Sequence, residues 1–268
     1  MDEALAALSA PGLIWVAILV LIGACLQGAG GIGFNIFAAP LVALLRPDLV
    51  PGAMLVLALL LGLMGLVREF GSIDWPGLGY ALAGRLPASI ATGWVMTVLP
   101  ARLLILGFAL LILLAVGMSL RGWHVAPKPR NLALAGALSG LMGTLTSSGA
   151  APMAIVYQNV TGPRLRATVS AFFFIGAVVS LGALTGFGKF NLHQGLLGLV
   201  LLPPLAAGFA LSRRLRSLLD GGRMRPFLLG LSALAAVLLI VQNFSPESAS
   251  PRFSRPPTVE RAVRVAAP

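Results

Sequence analysis

Acidic side chains are scarce in this 268-residue chain, which has eight carboxylates against nineteen lysines and arginines. Asp2, Glu3, Asp48, Glu69, Asp74, Asp220, Glu247 and Glu260 all fall outside its long apolar runs. A buried proton relay therefore lacks its usual parts. The only histidines, His124 and His193, read as solvated loop residues with no neighbours at metal-ligand spacing. One cysteine, Cys25, excludes an intrachain disulfide and a CxxC redox or metal site. The phosphate-cradling GxxxxGK[ST] pattern does not occur, so nucleotide-driven pumping has no anchor. Ser147 is a candidate nucleophile without a histidine in any apolar run and without a carboxylate pair. Lacking a catalytic constellation, the chain is not expected to be an enzyme or to hold a cofactor or metal.

What the chain has in abundance is apolar surface. Hydrophobic residues make up 58% of it and charged residues 10%, against about 25% charged in a soluble domain. Several runs approach the roughly 20 residues needed to cross about 30 Å of hydrocarbon, so the reading is a polytopic, all-α membrane protein. The net charge of +11 does not point to nucleic acid, because the arginines sit in short loops and in the tail, as orientation signals do. The start, MDEALAALSAPG, is acidic and lacks the positive region of a cleaved leader. The first hydrophobic segment is expected to be retained.

Leu26 to Val42 (LQGAGGIGFNIFAAPLV) carries four glycines, a glutamine, an asparagine and a proline inside an apolar run, and a second copy begins at Leu138 (LSGLMGTLTSSGAAPMAI). With Pro40 set on Pro152, a constant offset of 112 residues puts Gly28 on Gly140, Gly31 on Gly143 and Asn35 on Ser147. This is an internal repeat. Residues 1–120 form the first half, the basic, proline-rich 121–130 a linker, 131–244 the second half, and 245–268 a tail expected to be disordered. The first half should hold a broken segment from Leu13 to Leu45 and helices over Val50 to Val67, Gly77 to Val98 and Arg102 to Leu120. The second repeats it with Leu132 to Val156, Leu165 to Leu184, Leu192 to Leu211 and Phe227 to Val241. The 33-residue segment from Leu13 to Leu45 would be about 50 Å long as one helix, too long for one perpendicular span. Breaks are expected at Gly28 to Gly33 and at Gly140 to Gly149.

Loop charge discriminates between two topologies. Without Arg85 and the four tail arginines, 14 Lys and Arg remain. If both broken segments cross fully, these divide 9:5 between the two sides. If each dips in and returns, Arg68, Arg121, Lys128, Arg130, Arg164, Arg166, Arg213, Arg214, Arg216, Arg223 and Arg225 share one side, with only Arg46, Arg102 and Lys189 opposite. Positive-inside bias favours the second arrangement and makes the richer side cytoplasmic. Each half is then a re-entrant broken segment plus three transmembrane helices. An odd number of crossings makes the halves inverted repeats.

The glycine-rich motif followed by a proline, repeated after a basic linker, resembles the TauE/SafE family of membrane anion permeases, often called sulfite exporters. The likeness is carried by Gly140 to Pro152 (GLMGTLTSSGAAP), by Arg164 to Thr168 (RLRAT), by the aromatic-rich helix from Phe172 and by the turn at Gly71 to Trp75. It departs from the family's pattern at Thr144 to Ser148, where more glycine is usual. The resemblance implies a multi-pass permease of the bacterial inner membrane whose partners are the bilayer and a small sulfur-containing or organic anion.

Helix starts suit an anion, since their unpaired N–H groups carry about half a positive charge. The breaks place two such starts, from Phe34 and from Ala150, facing the centre. Candidate substrate-binding residues are Gln27, Gly30, Gly31, Gly33, Asn35, Thr144, Thr146, Ser147, Ser148 and Gly149. The alternative is close helix packing by small residues. Arg85 is the one charge near the middle of a span, and so a candidate counter-charge; a later helix start would instead let it snorkel to an interface. The expected function is export of sulfite or a short organosulfonate, driven by the membrane potential. An importer of the same fold and a non-transporting scaffold are the alternatives, and a homo-oligomer is left open.

Overall fold

The structure is a computed structural model and describes residues 11–30, 33–121, 125–157, 160, 162–219 and 224–244. Residues 1–10, His124 and the tail from 245 lie outside the described residues. Among the described residues every regular element is helical. In chain order they are α1 (Pro11–Gly30), α2 (Phe34–Leu45), α3 (Gly52–Arg68), α4 (Trp75–Val98), α5 (Ala101–Arg121), α6 (Pro129–Thr146), α7 (Ala150–Val156), α8 (Pro163–Gly186), α9 (Leu192–Val200), α10 (Leu202–Leu219) and α11 (Met224–Phe244). By length and apolarity α1, α5 and α8 each suffice to cross a membrane, and α9 with α10 makes a fourth if counted as one span bent by 45°. The protein is an integral, multi-pass membrane protein.

Local chemistry sets the boundaries. The Asp74 side chain accepts from the Gly77 N–H at the start of α4. At α9, Asn191 and Gln194 form a reciprocal capping box. Pro129 and Pro163 open α6 and α8, where a missing N–H costs nothing.

Three expectations are corrected. The segment Leu192 to Leu211 is two helices meeting at Leu201. Neither Pro203 nor Pro204 can donate back into α9, so the helix restarts with both prolines in its first turn. A single proline, Pro87, leaves α4 continuous. The second break is also narrower than Gly140 to Gly149. Gly140 and Gly143 stay helical within α6, and the chain turns only at Ser147 to Gly149. In the first half α1 continues through Gly28 to Gly30 before the chain leaves the helix.

Each broken segment is a long helix followed by a short return. At 20 and 12 residues, α1 and α2 are about 30 and 18 Å long. Gly23 of α1 lies against Phe34 and Ala38 of α2, and Gly12 lies beside the Arg46 side chain that ends α2. In the second segment, Ser139 of α6 donates to the Gly149 carbonyl, and Tyr157 just after α7 donates to Asp74 at the start of α4. Helices α3 and α8 run antiparallel. Gly52 abuts Phe190 and Gln194 at one end, and Glu69 pairs with Arg166 at the other.

The packing repeats when the halves are exchanged. Helix α4 packs on α6 and α10 on α1; α11 packs on α2 and α5 on α7. Gly84 of α4 faces the Ala133 carbonyl, and Gly208 of α10 faces the Leu21 carbonyl, 112 positions earlier. Absent side chains let these backbones touch, as small residues do in membrane interfaces. Two contacts join residues separated by the repeat offset itself: Gly62 to Phe174, and Asn35 to Ser147.

Candidate functional site

Arg85 sits eleven residues into the 24-residue α4 and is only 2% exposed, so it is an interior charge rather than a snorkelling one. Its Nη1 donates to Ser139 Oγ on α6 at 2.7 Å, and Ser139 passes its own proton to the Gly149 carbonyl. The guanidinium carbon lies 4.6 Å from the centre of the Phe172 ring on α8. Gly143, Gly149 and Gly176 surround the planar group, and a side chain at Gly176 would occupy the space of Nε. Nε is buried without a hydrogen-bond partner. Among the described residues no carboxylate pairs with Arg85. A buried charge is ordinarily paired, because its desolvation costs several kcal/mol. None of the described carboxylates supplies that counter-charge.

Arg85 borders a narrow, partly open cleft lined also by Gln27, Asn35, Leu55, Ala58, Ser147, Gly149, Ala150, Phe173 and Ala177. Asn35, in the first turn of α2, donates through Nδ2 to the Ser147 carbonyl at 2.5 Å. That bond fixes which way the amide points, since a carbonyl can face only the NH₂ side. Asn35 Oδ1 is then buried with no partner. Gln27 Oε1 accepts from the Phe34 N–H at 3.2 Å, so Gln27 caps the start of α2 while lining the pocket. Ser147 ends α6 with φ of 56°, a left-handed value uncommon outside glycine. This turn aims its carbonyl at Asn35.

The pocket thus gathers Gln27, Asn35, Arg85, Ser147 and Gly149 from the residues expected in the site. The other described candidates do not line it. Gly30 is exposed at the end of α1, Gly33 precedes α2 with φ of 141°, and Gly31 is outside the described residues. Thr144 Oγ1 is bonded to Ser180 Oγ at 2.9 Å, and Thr146 Oγ1 joins the Met142 carbonyl to the Ser148 N–H. Ser148 is fully buried, its Oγ without a partner. The second helix start, at Ala150, heads only seven residues, too short to concentrate much dipole. His193 is exposed in the first turn of α9.

Sequence reasoning missed Ser139, Phe172 and Gly176 around Arg85. Ser139 was findable, because the repeat offset places it on Gln27. It also missed an ionic cluster at the end of the molecule where α3 stops and α8 starts. Arg166 bonds Glu69 in bidentate fashion, with Nη2 to Oε1 at 2.6 Å, and Arg164 approaches Asp74 at 3.3 Å. Arg68 donates to the Gly28 carbonyl at 2.8 Å and lies 4.4 Å from the Phe209 ring centre. Burial and the neighbouring Asp74 both raise the pKa of Tyr157, keeping it a neutral donor there.

No curated protein and no solved structure matches the chain. A family model, Sulfite exporter TauE/SafE, matches residues 15–239, which takes in every helix and pocket residue described above except the chain's two ends. A buried guanidinium bordering a pocket, with no carboxylate beside it among the described residues, suits a family of anion carriers, and the chain belongs to the TauE/SafE sulfite exporter family.

Proposed function

We propose that the chain exports a small monovalent anion, sulfite-like or a short organosulfonate, through the pocket at Arg85. The observation that carries this is the buried guanidinium with a donor atom free and no carboxylate beside it among the described residues. Family membership supports the transport class; the pocket supports the charge of the cargo.

The proposed architecture is two inverted repeats in the bacterial plasma membrane. The exchange of packing partners between halves supports it. So do the contacts of Asn35 with Ser147 and Gly62 with Phe174, because a residue touches its own counterpart only where a two-fold axis passes. Gly12 beside Arg46 and Tyr157 on Asp74 support hairpins that open at opposite ends. The end carrying Arg68, Arg164 and Arg166 is then cytoplasmic. Export needs no fuel beyond the membrane potential, which favours the exit of one negative charge by about 2.3 kcal/mol per 100 mV.

The experiment is anion flux from proteoliposomes at clamped voltage, alongside thermal stabilisation of the purified protein by a panel of anions. Sulfite or short sulfonates should stabilise the protein and move down the potential without a proton gradient. No stabilisation and no flux with any anion would defeat the reading; flux that stops when a proton gradient is removed at fixed voltage would defeat the passive mechanism.

A further inference from the structure

The pocket that Arg85 borders is lined also by an unused acceptor. Asn35 is 7% exposed and lines the pocket with Arg85. Its NH₂ is committed to the Ser147 carbonyl, and its Oδ1 is buried without a partner. A site meant only to hold an oxyanion would present donors on every side, because an anionic oxygen against an amide oxygen sets lone pair against lone pair. Here one wall offers a positive donor and another a neutral acceptor. We infer that Asn35 is a specificity-determining residue: its Oδ1 accepts a hydrogen bond from the cargo, so the pocket selects a singly charged anion that still carries an N–H or O–H. Hydrogen sulfite fits this description, as do amino- and hydroxy-bearing sulfonates. The sulfite dianion does not, since it brings a second negative charge to one guanidinium and a bare oxygen to Oδ1. Leaving a buried acceptor unpaired is costly, and sites built to bond a substrate's donor reject analogues that lack it. The inference rests on the permease reading above and adds the protonation state of the cargo to it.

The test uses two isosteric monoanions, sulfamate, which carries N–H groups on sulfur, and methanesulfonate, which carries a methyl there. Purified full-length protein is titrated with each at neutral pH, with thermal stabilisation as the readout. Wild type should bind sulfamate about tenfold more tightly. In Asn35→Leu, close in volume and without the acceptor, the ratio should fall to about one. A second arm needs no variant: sulfite flux at clamped voltage and fixed total sulfite is followed as pH rises, and should fall in step with the hydrogen sulfite fraction. Equal affinity of wild type for the two sulfonates, a ratio that survives Asn35→Leu, or flux that grows with the dianion fraction would each overturn the inference while leaving an anion permease standing. If neither monoanion nor sulfite binds or moves, the permease reading itself fails.

Discussion

Replacing Arg85 by methionine separates a functional charge from a structural one. The substitution removes a charge-assisted hydrogen bond to Ser139 at 2.7 Å, contributing about 2 kcal/mol. It also removes a desolvated cation–π contact with Phe172 at 4.6 Å, contributing about 2 kcal/mol. Against these about 4 kcal/mol stands relief of the desolvation penalty of an ion only 2% exposed, several kcal/mol in a real protein. Methionine has similar reach and packs well against an aromatic face, and Ser139 keeps its bond to the Gly149 carbonyl. Folding stability should therefore change by no more than about 2 kcal/mol in either direction. Transport should not be spared. Losing the partner of a buried charged hydrogen bond costs an anion about 3 to 4 kcal/mol, a fall of about 10²- to 10³-fold in flux. Arg85→Lys keeps the charge as a compact point without the planar fork, and should recover part of the flux. Thermal unfolding in detergent and voltage-clamped flux measure the two quantities on the same preparations. Flux within threefold of wild type, or a protein that no longer folds after Arg85→Met, would refute the assignment of Arg85 to the cargo.

Other perturbations follow from single contacts. Gly176→Ala puts a methyl group where Arg85 Nε lies, so it should displace the guanidinium and depress flux about as much as Arg85→Met, with an overpacking cost of about 1–3 kcal/mol visible in thermal unfolding. Glu69→Gln leaves Arg166 uncompensated in a pair whose side chains are 14% and 12% exposed; it should cost about 3 kcal/mol by the same assay, with recovery when the two charges are exchanged in a Glu69→Arg, Arg166→Glu double variant. Gly62→Val drives a side chain into the Phe174 backbone and should destabilise the protein by about 3 kcal/mol or more, whereas a valine at the uncrowded Gly79 should be tolerated.

The sequence disclosed the repeat, the two short helices starting at Phe34 and Ala150, and the interior position of Arg85, because each leaves a mark that survives without coordinates: a constant offset, glycine before a helical run, a lone charge among apolar residues. It did not disclose where breaks would fall inside glycine-rich stretches. Gly140 and Gly143 looked like breakers, but each lies against α4, Gly140 beside the Arg85 backbone and Gly143 beside its side chain, so they serve close packing within an unbroken α6. Nor did it disclose the partners of the polar residues. Thr144 and Thr146 read as substrate donors by composition, yet their hydroxyls are used on Ser180 and on the local backbone. Conversely Ser139 and Gly176, which hold the guanidinium, are ordinary small residues of a membrane helix. Only the arrival of Arg85 from α4 gives them a role, and a tertiary contact of that kind has no local signature.

The departure from symmetry at the pocket bears on release. Gly84 and Gly208 occupy matching places against matching carbonyls, so the residues that follow them, Arg85 and Phe209, are counterparts. Only one is cationic. Strict repetition would have put two guanidiniums at the centre, and at an effective dielectric of about 20 each would add about 4 kcal/mol to the hold on an anion 4 Å away. A carrier must bind strongly enough to strip water from its cargo and weakly enough to let it go. In the second half the cation over Phe209 is Arg68, from the last turn of α3, which donates to the Gly28 carbonyl and neighbours Glu69. An aromatic face lies under each cation, Phe172 under Arg85 and Phe209 under Arg68, but one cation is at the pocket and the other at the end of the molecule. A single cation at the pocket, with a neutral acceptor on Asn35 opposing any second negative charge, is the balance that the proposed passage of a monoanion would require.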